Sequence, residues 1–410
     1  MLKRVILLLS AALTLWATNG DELIGIGAKS RAMGGTGIAL NLGAENGLNN
    51  PALIEPESKM EFLLGGTIFM PDLSFAGGDG YQKSAADLSV IPAASFVQKV
   101  DSRLSFGVGM FGTAGMGVDY RDDTSGSTMQ MVTSLQIMKF AVPVSYRFDN
   151  NLRIGYTPYI QYSALDINYK EPTLLGRYRG AGLAQDLGIG HLFGAAYRFS
   201  GSEPLGRYLQ GVRIGLVYRS AVKMHFKDQL RQATELFHLL GYLDDMGETL
   251  QQPAEWGIGL SRTWRARHTF AFDWRYLLWS DADGYATLRW SDQHIFALGY
   301  AYKGEGWSLR AGYNYATSPI REQEGTTSQG ATVNLFNLLG FPATVEQHYT
   351  VGGEYRISRH LHLNAAFVYA PKQTRTYDTS GIDPTTLLIF ESASVRHAQS
   401  SFTITANYSF

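Results

Sequence analysis

From Phe140 to Phe148 every second residue is bulky and apolar. Phe140, Val142, Val144, Tyr146 and Phe148 alternate with Ala141, Pro143, Ser145 and Arg147. A period of two sends successive side chains to opposite faces of a strand. The same pattern recurs at 193–199, 214–219, 270–276, 296–302, 309–315, 349–356 and 361–369. It recurs last in 395–410. There Phe402, Ile404, Ala406, Tyr408 and Phe410 share one face, and Thr403, Thr405 and Asn407 the other. A chain built this way folds as antiparallel sheet. What remains is whether the apolar face meets a protein core or lipid.

Composition decides for lipid. Charged residues make up 17% of the chain, against roughly 25% in typical soluble domains. Tyr, Phe and Trp are abundant and stand near strand ends, as in the interfacial girdles of membrane barrels. Lys3 and Arg4, the apolar run Val5–Trp16 and the small residues Ala17, Thr18 and Gly20 read as an export signal, residues 1–20. After it no run of about 18 apolar residues follows, so spanning helices are not expected. The chain has no cysteine, which removes disulfides and thiolate chemistry. A net charge of -1 gives no nucleic-acid footprint.

The connections alternate in length, a second barrel signature. Short turns fall at 101–103, 149–151, 265–267, 304–306 and 358–360, with a longer one near 201–206. Long loops fall at about 76–87, 113–135, 169–188, 225–252, 281–291, 317–346 and 371–394. The count gives a fourteen-stranded antiparallel transmembrane β-barrel over 58–410. Short turns and both termini belong on the periplasmic side of a bacterial outer membrane. Before the barrel, residues 21–57 are rich in Gly, Ala and Asn, lack strand alternation, and contain Asn50-Pro51-Ala52. A compact small-residue segment in this place is expected to plug the lumen.

Several segments, in order, resemble the FadL-type outer-membrane transporters of long-chain fatty acids and aromatic hydrocarbons. These are Gly25-Ile26-Gly27 through Ala32-Met33-Gly34-Gly35 to Asn50-Pro51-Ala52, then Pro253-Ala254-Glu255-Trp256-Gly257. Asp273-Trp274 through Trp279-Ser280 follows, and then Arg310-Ala311-Gly312-Tyr313 through Ser318-Pro319. The resemblance implies a monomeric barrel closed by an N-terminal hatch with Asn50, Pro51 and Ala52 at its tip. It implies passive uptake of hydrophobic small molecules, long-chain fatty acids first, with lateral release through a kinked third strand. An aromatic or alkane hydrocarbon channel is the alternative within the family. A structural or adhesive barrel with partner-binding loops, and a hydrophilic porin, are the alternatives outside it.

The residues fit that mechanism. Strand three, 104–118, holds Gly107, Gly109, Gly112, Gly115 and Gly117. Glycine inside a strand weakens pairing and marks bulges or bends. A break there opens the wall to an apolar solute. In the loop after Phe226, residues 233–240 have helical character, and Leu236, Phe237, Leu239 and Leu240 form a candidate capture patch. Arg219, Arg275 and Arg310 fall opposite the bulky face and so point inward, where a carboxylate ligand or the hatch would meet them.

The terminal Phe410 resembles the signal read by the barrel assembly machinery, and lipopolysaccharide is the expected outer-leaflet neighbour. Gly27-Ala28-Lys29-Ser30 lacks the glycine before lysine that a phosphate loop needs. His360 and His362 have no further ligand at metal spacing. No nucleophile elbow appears. No catalysis, cofactor or metal is expected.

Overall fold

The computed structural model describes residues 19–410 except 79, 149–150 and 202–205. The expected export signal lies outside the described residues but for its last two positions. Fourteen long strands among the described residues form the wall. They are β1 (Met60–Gly77), β2 (Ser89–Lys99), β3 (Leu104–Asp119), β4 (Val132–Ala141, continued by Val144–Arg147) and β5 (Leu152–Lys170). Next come β6 (Ala184–Arg198), β7 (Val212–Arg219), β8 (Glu255–Trp264), β9 (His268–Leu277) and β10 (Gln293–Lys303). The last are β11 (Trp307–Ala316), β12 (Gln347–Arg356), β13 (Leu361–Asp378) and β14 (Ser392–Ser409). Each pairs antiparallel with the next, and β14 pairs with β1 from Glu61–Ser409 to Gly77–Ala393, so the sheet closes. Closure leaves no edge strand exposed to lipid.

The alternation sets the faces as the sequence requires. Phe62, Leu64 and Ile68 of β1 and Trp256, Ile258 and Leu260 of β8 are exposed on the outer surface. Thr67, Ser401, Thr403 and Asn407 are buried toward the lumen. No described helix is long and apolar enough to cross a membrane.

Two sequence expectations shift. The run 140–148 is not one continuous strand, because β4 is interrupted at Val142 and Pro143. Proline has no N–H for the ladder; its carbonyl still accepts from Gly107 N at 2.8 Å. The loops expected at 113–135, 169–188 and 371–394 are shorter than read. β5 runs 19 residues, and β1, β13 and β14 run 18 each. About 9–11 tilted residues cross the hydrocarbon, so the excess stands outside the membrane as ribbon.

The outer loops also carry two helices, α2 (Gln229–Leu239) and α3 (Ser328–Leu339). They meet where Phe237 and Phe336 pack edge to face, ring centres 5.0 Å apart. Trp290 Nε1 donates to Asn337 Oδ1 at 2.9 Å, tying the loop before β10 to α3.

Candidate functional site: a filled lumen and an interrupted wall

Residues 19–57 lie inside the barrel and touch strands all around it. A short helix, α1 (Gly27–Arg31), and single 3-10 turns at Gly43–Gly47 and Pro51–Leu53 give the segment its compact course. Gly34 has φ +72, a left-handed backbone that glycine adopts at little cost. It sits against the β10 and β11 backbone, 2.7 Å from a would-be Cβ to the Leu298 and Tyr313 carbonyls. Thr350 Oγ1 accepts from Gly34 N at 2.9 Å and donates to Ala32 O at 3.0 Å. On β9, Asp273 accepts from the N–H groups of Gly37 (2.7 Å) and Ile38 (3.0 Å).

Asn50 does three things at once. Its Oδ1 accepts from Ala52 N at 3.0 Å, capping the turn that Pro51 begins. Its Nδ2 donates to Ile38 O (2.6 Å) and to Ala195 O of β6 (3.2 Å). Ser145 Oγ donates to Ala52 O at 2.9 Å. The tip lies so close to the wall that a side chain at Gly155 would overlap Pro51 and Ala52. Asn50, Pro51 and Ala52 are thus fully buried and seated on β4, β5 and β6.

The three inward arginines expected to meet a ligand or the hatch are engaged by carboxylates. Arg219 meets Glu22 at 2.5 Å and Glu255 at 2.9 Å, and Arg275 meets Glu255 at 3.5 Å. Arg310 meets Glu354 at 3.1 Å, which Lys29 of α1 approaches to 4.0 Å. Burial pushes Glu22 upward. Arg219, with Lys139 and Arg275 behind it, overrides that and holds the carboxyl below its ordinary range. Neighbouring Asp21 is pushed up to about 6, first by burial and then by Glu22, although Tyr285 Oη and Gln252 Nε2 donate to it at 2.6 and 2.8 Å. Burial pushes Glu45 up to about 7; Lys29 and the N–H groups of Lys29 and Ser30 only partly oppose this.

The wall is not uniform. The β2–β3 ladder runs from Lys99–Ser105 to Ala93–Phe111 and stops. Beyond it Ser89–Pro92 pair with β1 alone. Pro92, which has no N–H to give, stands where the ladder ends. On the other side of β3 the register with β4 slips between Gly112 and Ala114. Thr113 is the extra residue, and the N-terminal segment takes up its backbone: Leu23 N donates to Thr113 O at 3.0 Å, and Gly115 N to Asp21 O at 2.9 Å. A bridge between Glu22 and Ala114 forms with them.

At the interruption lies a cavity of about 530 Å³. One side is Leu88 and Val90, 63% and 74% exposed on the outer surface. The other side includes His397 and Gln399, buried on the lumen side of β14. Met116, Leu135 and Ile137 lie between. Gly112 lines this cavity, as do Gly115 and Gly117; Gly107 and Gly109 lie below it, in the paired part of β3. Arg219 and Arg275 border a separate void of about 30 Å³ beside Glu22, and Arg310 borders neither space. In α2, Phe237 is buried, Leu236 is half-buried and Leu239 is exposed, as is Leu240 just after it. Sequence reasoning did not single out Pro92, Pro143 or Asp21–Leu23. A proline inside an alternating run was the available signal for the first two. Among the described residues no group of His, Asp and Glu is placed to hold a metal ion.

A closed barrel with its own N-terminal segment filling the lumen defines an outer-membrane channel of the plugged type. The chain belongs to the outer membrane protein transport protein family (OMPP1/FadL/TodX), which matches residues 21–410. It is 24% identical over 352 residues to the long-chain fatty acid transport protein of Escherichia coli K12, covering 73% of this chain and 78% of that one. It is 20% identical over 371 residues to a 47 kDa outer membrane protein of Pasteurella multocida, covering 81% and 82%. The fold is similar to that of the Pseudomonas putida toluene transporter TodX, with TM-score 0.68, 19% identity and coverage of 96% and 100%. It is also similar to a Pseudomonas aeruginosa FadL homologue, with TM-score 0.69, 14% identity and coverage of 95% and 99%. The protein is an outer-membrane transporter of hydrophobic compounds, of a family of channels rather than enzymes.

Proposed function

We propose that this transporter takes up long-chain fatty acids passively and releases them sideways between β2 and β3. The observation that carries this reading is the single cavity lined both by exposed Leu88 and Val90 and by buried His397 and Gln399. An amphiphile suits such a space, since an apolar middle is flanked by polar side chains at Gln136, Tyr162 and His397. Leu239 and Leu240 at the end of α2, with Leu236 behind them, are the capture points outside. Residues 21–57 act as the hatch, with Asn50, Pro51 and Ala52 as its seat and Asp21–Leu23 as the part that must leave the bulge. Gly112 gives the bend its freedom, and Gly107 and Gly109 ease the strand below it. The alternating terminal strand ending on Phe410 is the proposed address for the barrel assembly machinery, and lipopolysaccharide the outer-leaflet neighbour.

A second reading, an aromatic hydrocarbon channel, is favoured by one observation. Arg219, Arg275 and Arg310 are already engaged by carboxylates, and a neutral solute asks for no cation. Uptake of labelled oleate and of labelled toluene, in cells lacking their own transporter of this family, decides between them. Oleate accumulation dependent on the protein is expected. Toluene accumulation with oleate at background would replace the first reading by the second.

A further inference from the structure

The periplasmic ends of β8 to β11 carry a surface that the transport route does not use. Two turns form it, at 265–267 and 304–306. They are neighbours, because Lys303 N donates to Arg267 O at 2.8 Å. The register fixes what points to lipid. Trp256, Ile258 and Leu260 set the outer face of β8, so Arg262 and Trp264 share it. Trp264 stands opposite His268, and His268 opposite Tyr302, whose ring lies 5.6 Å from that of Trp307. Trp264 and Trp307 are 48% and 40% exposed. Outward Trp and Tyr in such a row mark the boundary between hydrocarbon and water.

Cations gather at that level. Arg262 is on the lipid face itself, and Arg265 lies over the Trp264 ring, 4.2 Å from its centre. Arg267 and Lys303 follow on the turns. Among the described residues none of these four is held in an ion pair. Glu305 is the one carboxylate on the two turns. Arg219, Arg275 and Arg310 inside the barrel are the contrast, each meeting a carboxylate. The first turn is also strained: Arg265 has φ +51 and Ala266 φ +56. Two-residue hairpins of that hand use Asn-Gly as a rule. Backbone strain of this kind persists where the surroundings fix it and marks sites worth testing for function.

We propose that this rim holds phospholipids with net-negative headgroups in the leaflet that faces the periplasm. The headgroup phosphate lies on Arg262, Arg265 and Arg267, and the acyl chains lie along Leu260, Phe270 and Leu309. Charge complementarity and continuity with the lipid-facing wall select this occupant. A soluble acidic partner would reach the turns but not Arg262, which shares the face of Leu260.

The test is titration of the detergent-purified chain by native mass spectrometry. The probes are phosphatidylglycerol, phosphatidylcholine, glycerol phosphate and polyglutamate. Preferential retention of phosphatidylglycerol is expected. A basic residue at a membrane surface contributes roughly fivefold in affinity, so R262Q/R265Q/R267Q loses on the order of a hundredfold for that lipid. R262K/R265K/R267K keeps most of it. Where the triple variant yields no folded barrel, Arg265→Gln alone, on an exposed turn, is expected to lose about fivefold. Equal retention of the two lipids overturns the proposal. So does binding of glycerol phosphate or polyglutamate as tight as that of phosphatidylglycerol, or a folded Arg265→Gln variant with unchanged affinity.

Discussion

The β14–β1 seam and the wall between β2 and β3 are built from the same kind of alternating sequence, and only the seam is complete. At the seam every position from Glu61–Ser409 to Gly77–Ala393 is in register. Side chains reinforce it: Thr67 and Thr403 hydroxyls are 2.7 Å apart, and Asn407 Nδ2 donates to Glu61 at 2.7 Å. Between β2 and β3 the ladder ends at Pro92 and Gly112, and the backbone beyond it turns to the chain's own N-terminus. Backbone groups at membrane depth must find partners. In the seam those partners are fixed strands. At the gap they are Asp21 and Leu23, held by side chains. The proposed exit rests on this difference, since a wall segment partnered by a plug loses its hydrogen bonds if the plug leaves.

The largest expected effect in that comparison is at Arg219. Arg219→Gln leaves Glu22 buried without its ion-pair partner and Glu255 with Arg275 alone, at 3.5 Å, which costs about 3–5 kcal/mol. Hydrogen exchange of residues 21–25 is expected to rise steeply while the seam amides of β1 and β14 stay protected. Equal change in both regions breaks the distinction between held and built-in wall.

Asn50→Ala acts next. It removes three hydrogen bonds and leaves the Ile38 and Ala195 carbonyls short of a donor, worth about 1–3 kcal/mol. The barrel is expected to keep its heat-modifiable gel mobility while oleate uptake falls. Full uptake in a folded variant would separate the seat from the gate.

The smallest effect is that of pH. The Glu45 carboxyl moves from 4.5 in the open chain to about 7 when the hatch is docked. Docking therefore binds a proton between these values. Its contribution is complete below about pH 4.5 and is lost as pH rises through 7. Asp21, moving from 3.8 to about 6, acts in the same direction in a lower window. Proteolysis between residues 25 and 50 is expected to quicken from pH 5 to pH 8, and Glu45→Gln to flatten that change. A change of opposite sign would contradict this account of the hatch.

Most of the wall was legible in the sequence, because lipid on one side forces strict alternation. Phe402 to Phe410 and Trp256 to Leu260 point outward as their spacing requires. The plug was legible as a place and a composition, but not in its contacts. That Asn50 reaches Ala195, or Glu22 reaches Arg219, depends on residues 145 and 197 positions apart, and no local pattern encodes such pairing. The glycines of β3 run through both its paired part and the part beside the gap. Their spacing could not show that Gly107 and Gly109 pair with β2 while Gly112 pairs with β4 alone. Pro92 on the neighbouring strand helps set that difference. The buried helix α3 was missed inside a long loop, since its apolar residues run all around it and leave no stripe.

One measurement tests the gap most directly. A Cβ on Gly112 lies 3.6 Å from that of Ile91, within the span of a disulfide, and the chain has no cysteine of its own. Ile91→Cys with Gly112→Cys staples the gap; Thr67→Cys with Thr403→Cys staples the finished seam. Oleate uptake by the first pair is expected to fall to background when oxidised and to return on reduction, while the second pair transports in both states. Undiminished uptake with the Ile91–Gly112 cross-link fully formed would contradict exit between β2 and β3.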